Sequence, residues 1–151
     1  MNQGMELVHR PGFVAVGLRV EADWKGLWRE MPAAWRELHE RAGEIRHRAT
    51  DVLMDISVSV DCGCCTQLIG AEVAHADDVP DGMTAVHVPA GTYLHTRHTG
   101  SLPEIAETFR RMYEWGHKNG VRLDEFKVDS GYTAGGAEPY HDLYVRVIGT
   151  G

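Results

Sequence analysis

Apolar and polar residues alternate over residues 13–20: Val14, Val16, Leu18 and Val20 form one set, and Phe13, Ala15, Gly17 and Arg19 lie between them. A strand with one buried face requires that period of two. From Trp24 the period lengthens. Trp24, Leu27, Trp28, Met31, Trp35, Leu38, Ala42 and Ile45 recur at steps of three and four, which places them on one stripe of a helix. Pro32 interrupts that stripe, and its missing N–H predicts a kink, or a short leading turn with the main helix starting near residue 32. Met54, Ile56, Val58 and Val60 then alternate with Asp55, Ser57, Ser59 and Asp61, a strand with one wet face. Cys62-Gly63-Cys64-Cys65 falls where a hairpin turn belongs, before a return strand through Leu68, Ile69, Ala71 and Val73.

The scheme recurs after a loop at residues 77–82. A strand is expected over residues 92–99, and Ser101 with Glu104 has the spacing of a capping box that starts a helix at Leu102. Leu102, Ile105, Ala106, Phe109, Met112, Tyr113 and Gly116 form its buried stripe, and Asn119-Gly120 supplies a left-handed stop. Two further strands are expected near residues 125–129 and 142–148, separated by a loose loop at 133–139. The letters repeat as well. Met5, Val8, His9, Pro11 and Gly12 return as Met83, Val86, His87, Pro89 and Gly91, offset by 78 residues up to the prolines, with Ala90 inserted to align the glycines. The expectation is an α+β domain of two pseudo-symmetric β-α-β-β repeats, about residues 5–76 and 83–149, forming a mostly antiparallel sheet with two long helices on one face. His9 and His87 would occupy equivalent strand positions, and the seam between the halves would be the place for a ligand.

Composition narrows the function. At 151 residues, 43% hydrophobic and 25% charged, the chain reads as a single domain over 1–151. A net charge of −7 with dispersed Lys and Arg excludes a phosphate-binding surface, so no direct contact with nucleic acid is expected. No apolar run of membrane-spanning length and no charged-then-apolar leader occurs, which points to the cytoplasm and away from a membrane. Three cysteines within four positions make a poor disulfide framework. Cys62, Cys64 and Cys65, with His75 or His87, could be ligands to zinc, but adjacent cysteines are hard to aim at one ion, and plain turn residues are the favoured reading. No metal or other cofactor is expected, and no Ser/His/Asp spacing or phosphate-binding glycine loop is present.

Pro89-Ala90-Gly91-Thr92-Tyr93, His98-Thr99-Gly100 and Tyr113-Glu114-Trp115 before Gly120 together resemble the GyrI-like small-molecule-binding domain. That module is the effector-binding part of some AraC-type and multidrug-sensing regulators and also occurs alone. The remaining order agrees: a helix with early tryptophans, a Gly70-Ala71-Glu72-Val73 strand and a closing aromatic strand at Leu143-Tyr144-Val145. The resemblance implies a pseudo-two-fold pair of β-α-β-β units with an aromatic-lined pocket between them. It also implies a buried glutamate on the sixth strand that selects cations. Here that place holds Lys127 without a gap, or Ser130 after a shift of three to match Tyr132. Neither is acidic, so cation selection is not expected unless a different strand register brings in Asp129 or Glu125.

Phe13, Tyr93, Trp115, Tyr132 and Tyr144 are the aromatic candidates for the pocket wall, since each offers a large apolar ring and tyrosine adds a polar tip. His98, between strand and helix cap, could donate to a ligand or to nearby backbone. Glu72, Asp55 and Asp61 are the acids expected nearest the seam, with Glu72 the ligand-facing one. The function expected is that of a stand-alone small-molecule-binding protein, a sensor or drug-binding protein and not an enzyme, whose partner is a hydrophobic or aromatic molecule. Two other readings stand beside it: a hydrolase of reactive small molecules in the same pocket, and a modulator of a protein partner without a DNA-binding domain.

Overall fold

A computed structural model describes residues 4–133 and 136–150, the side chains of 136–138 excepted. Its elements run β1 (Glu6–Arg10), β2 (Phe13–Ala22), α1 (Trp24–Arg41), β3 (Leu53–Asp61), β4 (Cys64–Val73), β5 (Thr84–Val88), β6 (Gly91–His98), α2 (Ile105–Lys118), β7 (Val121–Thr133) and β8 (Gly136–Thr150). The fold is α+β. All eight strands form one antiparallel sheet of order β1-β6-β8-β7-β3-β4-β2-β5. Exchanging β1–β4 with β5–β8 reproduces that order read from its other end.

Each half therefore has one strand more than the β-α-β-β unit expected from the letters. β1 pairs with β6 and β5 with β2, so the leading strand of each half closes the edge of the other. Both are five residues long and sit at sheet edges, β1 mostly exposed and β5 half-buried, and strands so short carry too few apolar positions for a legible period. His9 faces Thr92 and His87 faces Val14, equivalent places at a constant spacing of 78. The same spacing sets Gly91 opposite Arg10 and Phe13 opposite Val88, so Ala90 is no insertion and Gly91 stands where Phe13 does.

Asp23 caps α1, its carboxylate accepting from the Gly26 N–H at 2.6 Å. Pro32 lies inside the helix without ending it, and the chain leaves helical geometry at Arg41 through a short 3-10 turn, Ala42–Glu44. The expected capping box before α2 closes differently. Ser101 Oγ donates to Glu104 Oε1 at 2.8 Å instead of accepting from a backbone N–H, and Leu102–Glu104 forms a 3-10 turn that holds the α-helix back to Ile105. Asn119-Gly120 ends α2 as expected, with Gly120 at φ +68°. Cys62 (φ +51°) and Gly63 (φ +82°) make the β3–β4 turn, and Cys64 and Cys65 already belong to β4. The loop expected at 133–139 is instead the tip of a long hairpin, where Thr133 pairs with Gly136. Residues 134 and 135 lie outside the described part.

Side-chain parity sorts the core. Val16, Leu18, Leu53, Ile69, Ala71 and Val73 meet Leu38 of α1, while Leu94, Leu143 and Val145 meet Ile105 and Met112 of α2. Both groups occupy one face of the sheet. The opposite face carries Ala15, Met54, Ile56, Leu68, Tyr93 and Val128, buried against one another with strands alone around them. Among the described residues no helix is long and apolar enough to cross a membrane.

Candidate functional site

Helix α1 packs on β2 and β4, and α2 on β6 and β7. β3 runs between them, paired with β7 at the junction of the two halves. Over this floor lies an open cleft of about 310 Å³, with walls from Trp24, Leu27, Trp28, Met31, Pro32 and Trp35 of α1, Asp55 of β3 and Gln67 of β4. The lining is almost wholly apolar apart from the last two.

The apolar stripe of α1 is thus partly the wall of an open cleft. Trp24 is 64% exposed and Trp28 72%, and their rings meet edge to face at 6.2 Å. Exposing two indoles forgoes roughly 1.5–3 kcal/mol of burial each, an arrangement expected where a ligand covers them. Trp35 is anchored deeper, its ring 4.5 Å from that of Tyr132.

Asp55 and Asp129 face each other across the β3–β7 pair. Asp129, 5% exposed, is committed to the protein: the Tyr132 hydroxyl donates to its Oδ2 at 2.5 Å, and His141 Nδ1 donates to its Oδ1 at 2.7 Å. Gly131 makes room for that imidazole, since a Cβ there would lie 2.9 Å from His141 Cγ. The Nε2 of His141 is buried without a hydrogen-bond partner among the described residues. Burial, and then the charge of Asp129, push the Tyr132 hydroxyl up, so it stays protonated and donating. Among the described residues Asp55 has one side-chain hydrogen bond, from Gln67 Nε2 at 2.9 Å, and it reaches the cleft. Burial first, and the charge of Asp129 second, push its carboxyl up to about 7, against the opposing pull of Gln67 and Lys127.

Of the residues singled out from sequence, Tyr132 stands beside this cleft. Phe13, Tyr93 and Tyr144 come together on the opposite face of the sheet. There Tyr93 is 1% exposed and donates to the Pro89 carbonyl at 2.6 Å, and Arg10 stacks over Tyr144 at 3.9 Å. Glu72 pairs with Ala15 of that same face, and Asp61 lies at the β3–β4 turn. Trp115 packs against the α2 core. His98 is held by the Thr108 hydroxyl at 2.7 Å and the Ser101 carbonyl at 2.8 Å, which ties β6 to the start of α2. Among the described residues no His, Cys, Asp and Glu grouping suits a metal ion.

Sequence reasoning placed the tryptophans on one helix face without assigning them to the wall. The spacing of Trp24, Trp28 and Trp35 with Pro32 among them was the available signal. The acid also differs from the expected pattern: it comes from β3, with a second one two residues beyond Lys127 on β7.

The model of the Cass2 family, described as integron-associated effector binding protein, matches residues 6–145. The transcriptional regulator BrlR of Pseudomonas aeruginosa is 34% identical over 118 residues, which are 74% of this chain and 41% of that protein. The chain thus spans well under half the length of that relative. Among solved structures, SAV2435 bound to tetraphenylphosphonium superimposes with a TM-score of 0.74 at 9% identity, covering 96% of this chain and 94% of its own. An integron cassette protein from the mobile metagenome of Vibrio cholerae gives 0.71 at 12% identity, covering 96% of each chain. At such identities the superpositions establish the fold alone, that of the effector-binding domains anticipated from the GyrI-like motifs. With the family model spanning nearly its whole length, the chain belongs to the integron-associated effector-binding proteins.

Proposed function

We propose that the cleft between α1 and the sheet binds an aromatic or amphipathic small molecule carrying positive charge, and that the protein acts as a sensor or sequestering protein for it. Indole faces attract delocalised cations and stack on aromatic rings. Asp55 at the floor recovers its own desolvation cost by pairing with the cation. The observation that carries this reading is the joining of exposed Trp24 and Trp28 to an acid in one apolar cleft. Tetraphenylphosphonium on the similarly folded SAV2435 supports the ligand class, and the likeness to part of a transcriptional regulator supports a sensing use. The Tyr132 hydroxyl is taken up by Asp129, which favours binding over a hydrolytic role.

Tetraphenylphosphonium at a hundred times its dissociation constant adds about 2.7 kcal/mol to the native state, or roughly 5–10 °C in Tm for a domain of this size. Trp28→Ala is expected to lower the affinity about tenfold, by removing one stacking face. Thermal melting with increasing ligand reads both effects. An unchanged Tm in the wild-type protein would remove this reading.

A further inference from the structure

We propose that a second subsite of opposite charge lies beside the cleft at Lys127, and that the preferred ligand is an aromatic zwitterion, cationic toward Asp55 and bearing a carboxylate or similar acid that reaches past the cleft toward Lys127. This rests on the cleft reading above and specifies its ligand.

Strand register places the two charges. Asp55 pairs with Asp129 and Ser57 with Lys127, so Lys127 lies two residues from Asp129 and projects from the same face of the sheet. Asp55 and Lys127 are diagonal neighbours across an antiparallel pair, a separation of about 7–8 Å between backbones. No carboxylate lies within 4.0 Å of Lys127 Nζ among the described residues, so the two charges feel each other without forming an ion pair.

The surroundings of Lys127 point to an anion from outside. Its Nζ lies 5.8 Å from the Phe109 ring and 5.9 Å from the Tyr113 ring, both on the inner side of α2. Its hydrogen bond within the protein is a long one, 3.4 Å to the Glu125 carbonyl. Burial holds its ammonium below the ordinary lysine range, while Asp55 and Glu125 pull the other way. A half-buried ammonium between two rings, with no carboxylate in contact among the described residues, is costly, and an acid group on a ligand offsets that cost. Aromatic contact is offered at both ends, by tryptophans beside the acid and by Phe109 and Tyr113 beside the base. A simple cation would meet attraction at one end and repulsion at the other.

Rhodamine B, a zwitterion with a free carboxylate, and its ethyl ester, a cation of nearly the same shape, separate the two charges in a fluorescence anisotropy titration. The wild-type protein is expected to bind the free acid about tenfold more tightly than the ester. Lys127→Met, which keeps the stem and removes the charge, is expected to weaken the acid and tighten the ester until the preference is gone. Retained ester binding shows that this variant is folded. Equal affinities in the wild-type protein, or a preference unchanged by Lys127→Met, would overturn the anionic subsite while leaving a cation-binding cleft in place. Failure of both dyes to bind would remove the cleft reading and the subsite together.

Discussion

Replacing His141 with alanine will destabilise the protein by about 3–5 kcal/mol, because it strips one of two donors from a buried carboxylate and leaves one of its oxygens unsatisfied. Asp129 is 5% exposed and His141 2%, and the Nδ1 to Oδ1 contact is 2.7 Å, so water cannot replace the lost bond without opening the sheet. The imidazole also fills space against Gly131 and meets the Tyr132 ring edge to face at 4.7 Å. Losing it therefore adds a cavity to the unpaired acid. Asp129→Asn on the same background should recover part of the loss, since a neutral amide suffers less from the missing donor. Urea unfolding of the two single variants and the double variant reads this as a coupling of at least about 1 kcal/mol. Additive losses would mean that Asp129 and His141 do not act as a pair. The consequence for function is positional: with both Asp129 oxygens occupied by Tyr132 and His141, the ligand-facing acid is Asp55.

Asp55→Asn will weaken tetraphenylphosphonium binding by about 2 kcal/mol, roughly thirtyfold, at a pH where the carboxyl is ionised, and will abolish the pH dependence of binding. With the Asp55 carboxyl at about 7, affinity in the wild-type protein should rise nearly tenfold between about pH 6 and about pH 8, as the anion that meets the cation becomes the majority form. The groups facing Asp55 are Gln67 of β4, Asp129 and Lys127 of β7; α1 contributes only uncharged side chains to the cleft. Stability moves the other way. A carboxyl held above its unfolded value keeps its proton in the native state after the unfolded chain has lost it, so the native state loses ground as pH rises from about 4 to about 7. Asp55→Asn removes that loss, and the ligand-free variant should be more stable than wild type by about 2 kcal/mol at about pH 8, with the gap closing near pH 4. A cation affinity flat with pH, or a variant less stable than wild type in alkali, would contradict the role given to Asp55.

Residues whose environment repeats along the chain were legible before the structure. The alternations at Val14–Val20 and Met54–Val60 gave the long strands, the two helical stripes gave the helices, and together they fixed the fold class. Edge strands such as β1 and β5 were not legible, because pairing at the rim of a sheet is satisfied by backbone and needs few apolar side chains. The site was half legible for a related reason. Tyr132 and Asp55 could be placed near the seam, but Phe13, Tyr93 and Tyr144 differ from them by strand parity, and one residue of register moves a side chain to the other face. The pairing of Asp55 with Asp129 depends on which strands meet at the junction, a long-range fact that no local pattern encodes. The exposure of Trp24 and Trp28 was hidden because the helical period that marks a buried stripe marks a binding wall equally well.

The most direct test is a crystal structure of the protein with tetraphenylphosphonium. The account predicts one ligand per chain between α1 and β3, its phenyl rings against Trp24, Trp28 and Trp35 and its phosphonium centre nearest Asp55. A ligand on the opposite face of the sheet, against Phe13, Tyr93 and Tyr144, or an empty cleft at saturating concentration, would contradict it.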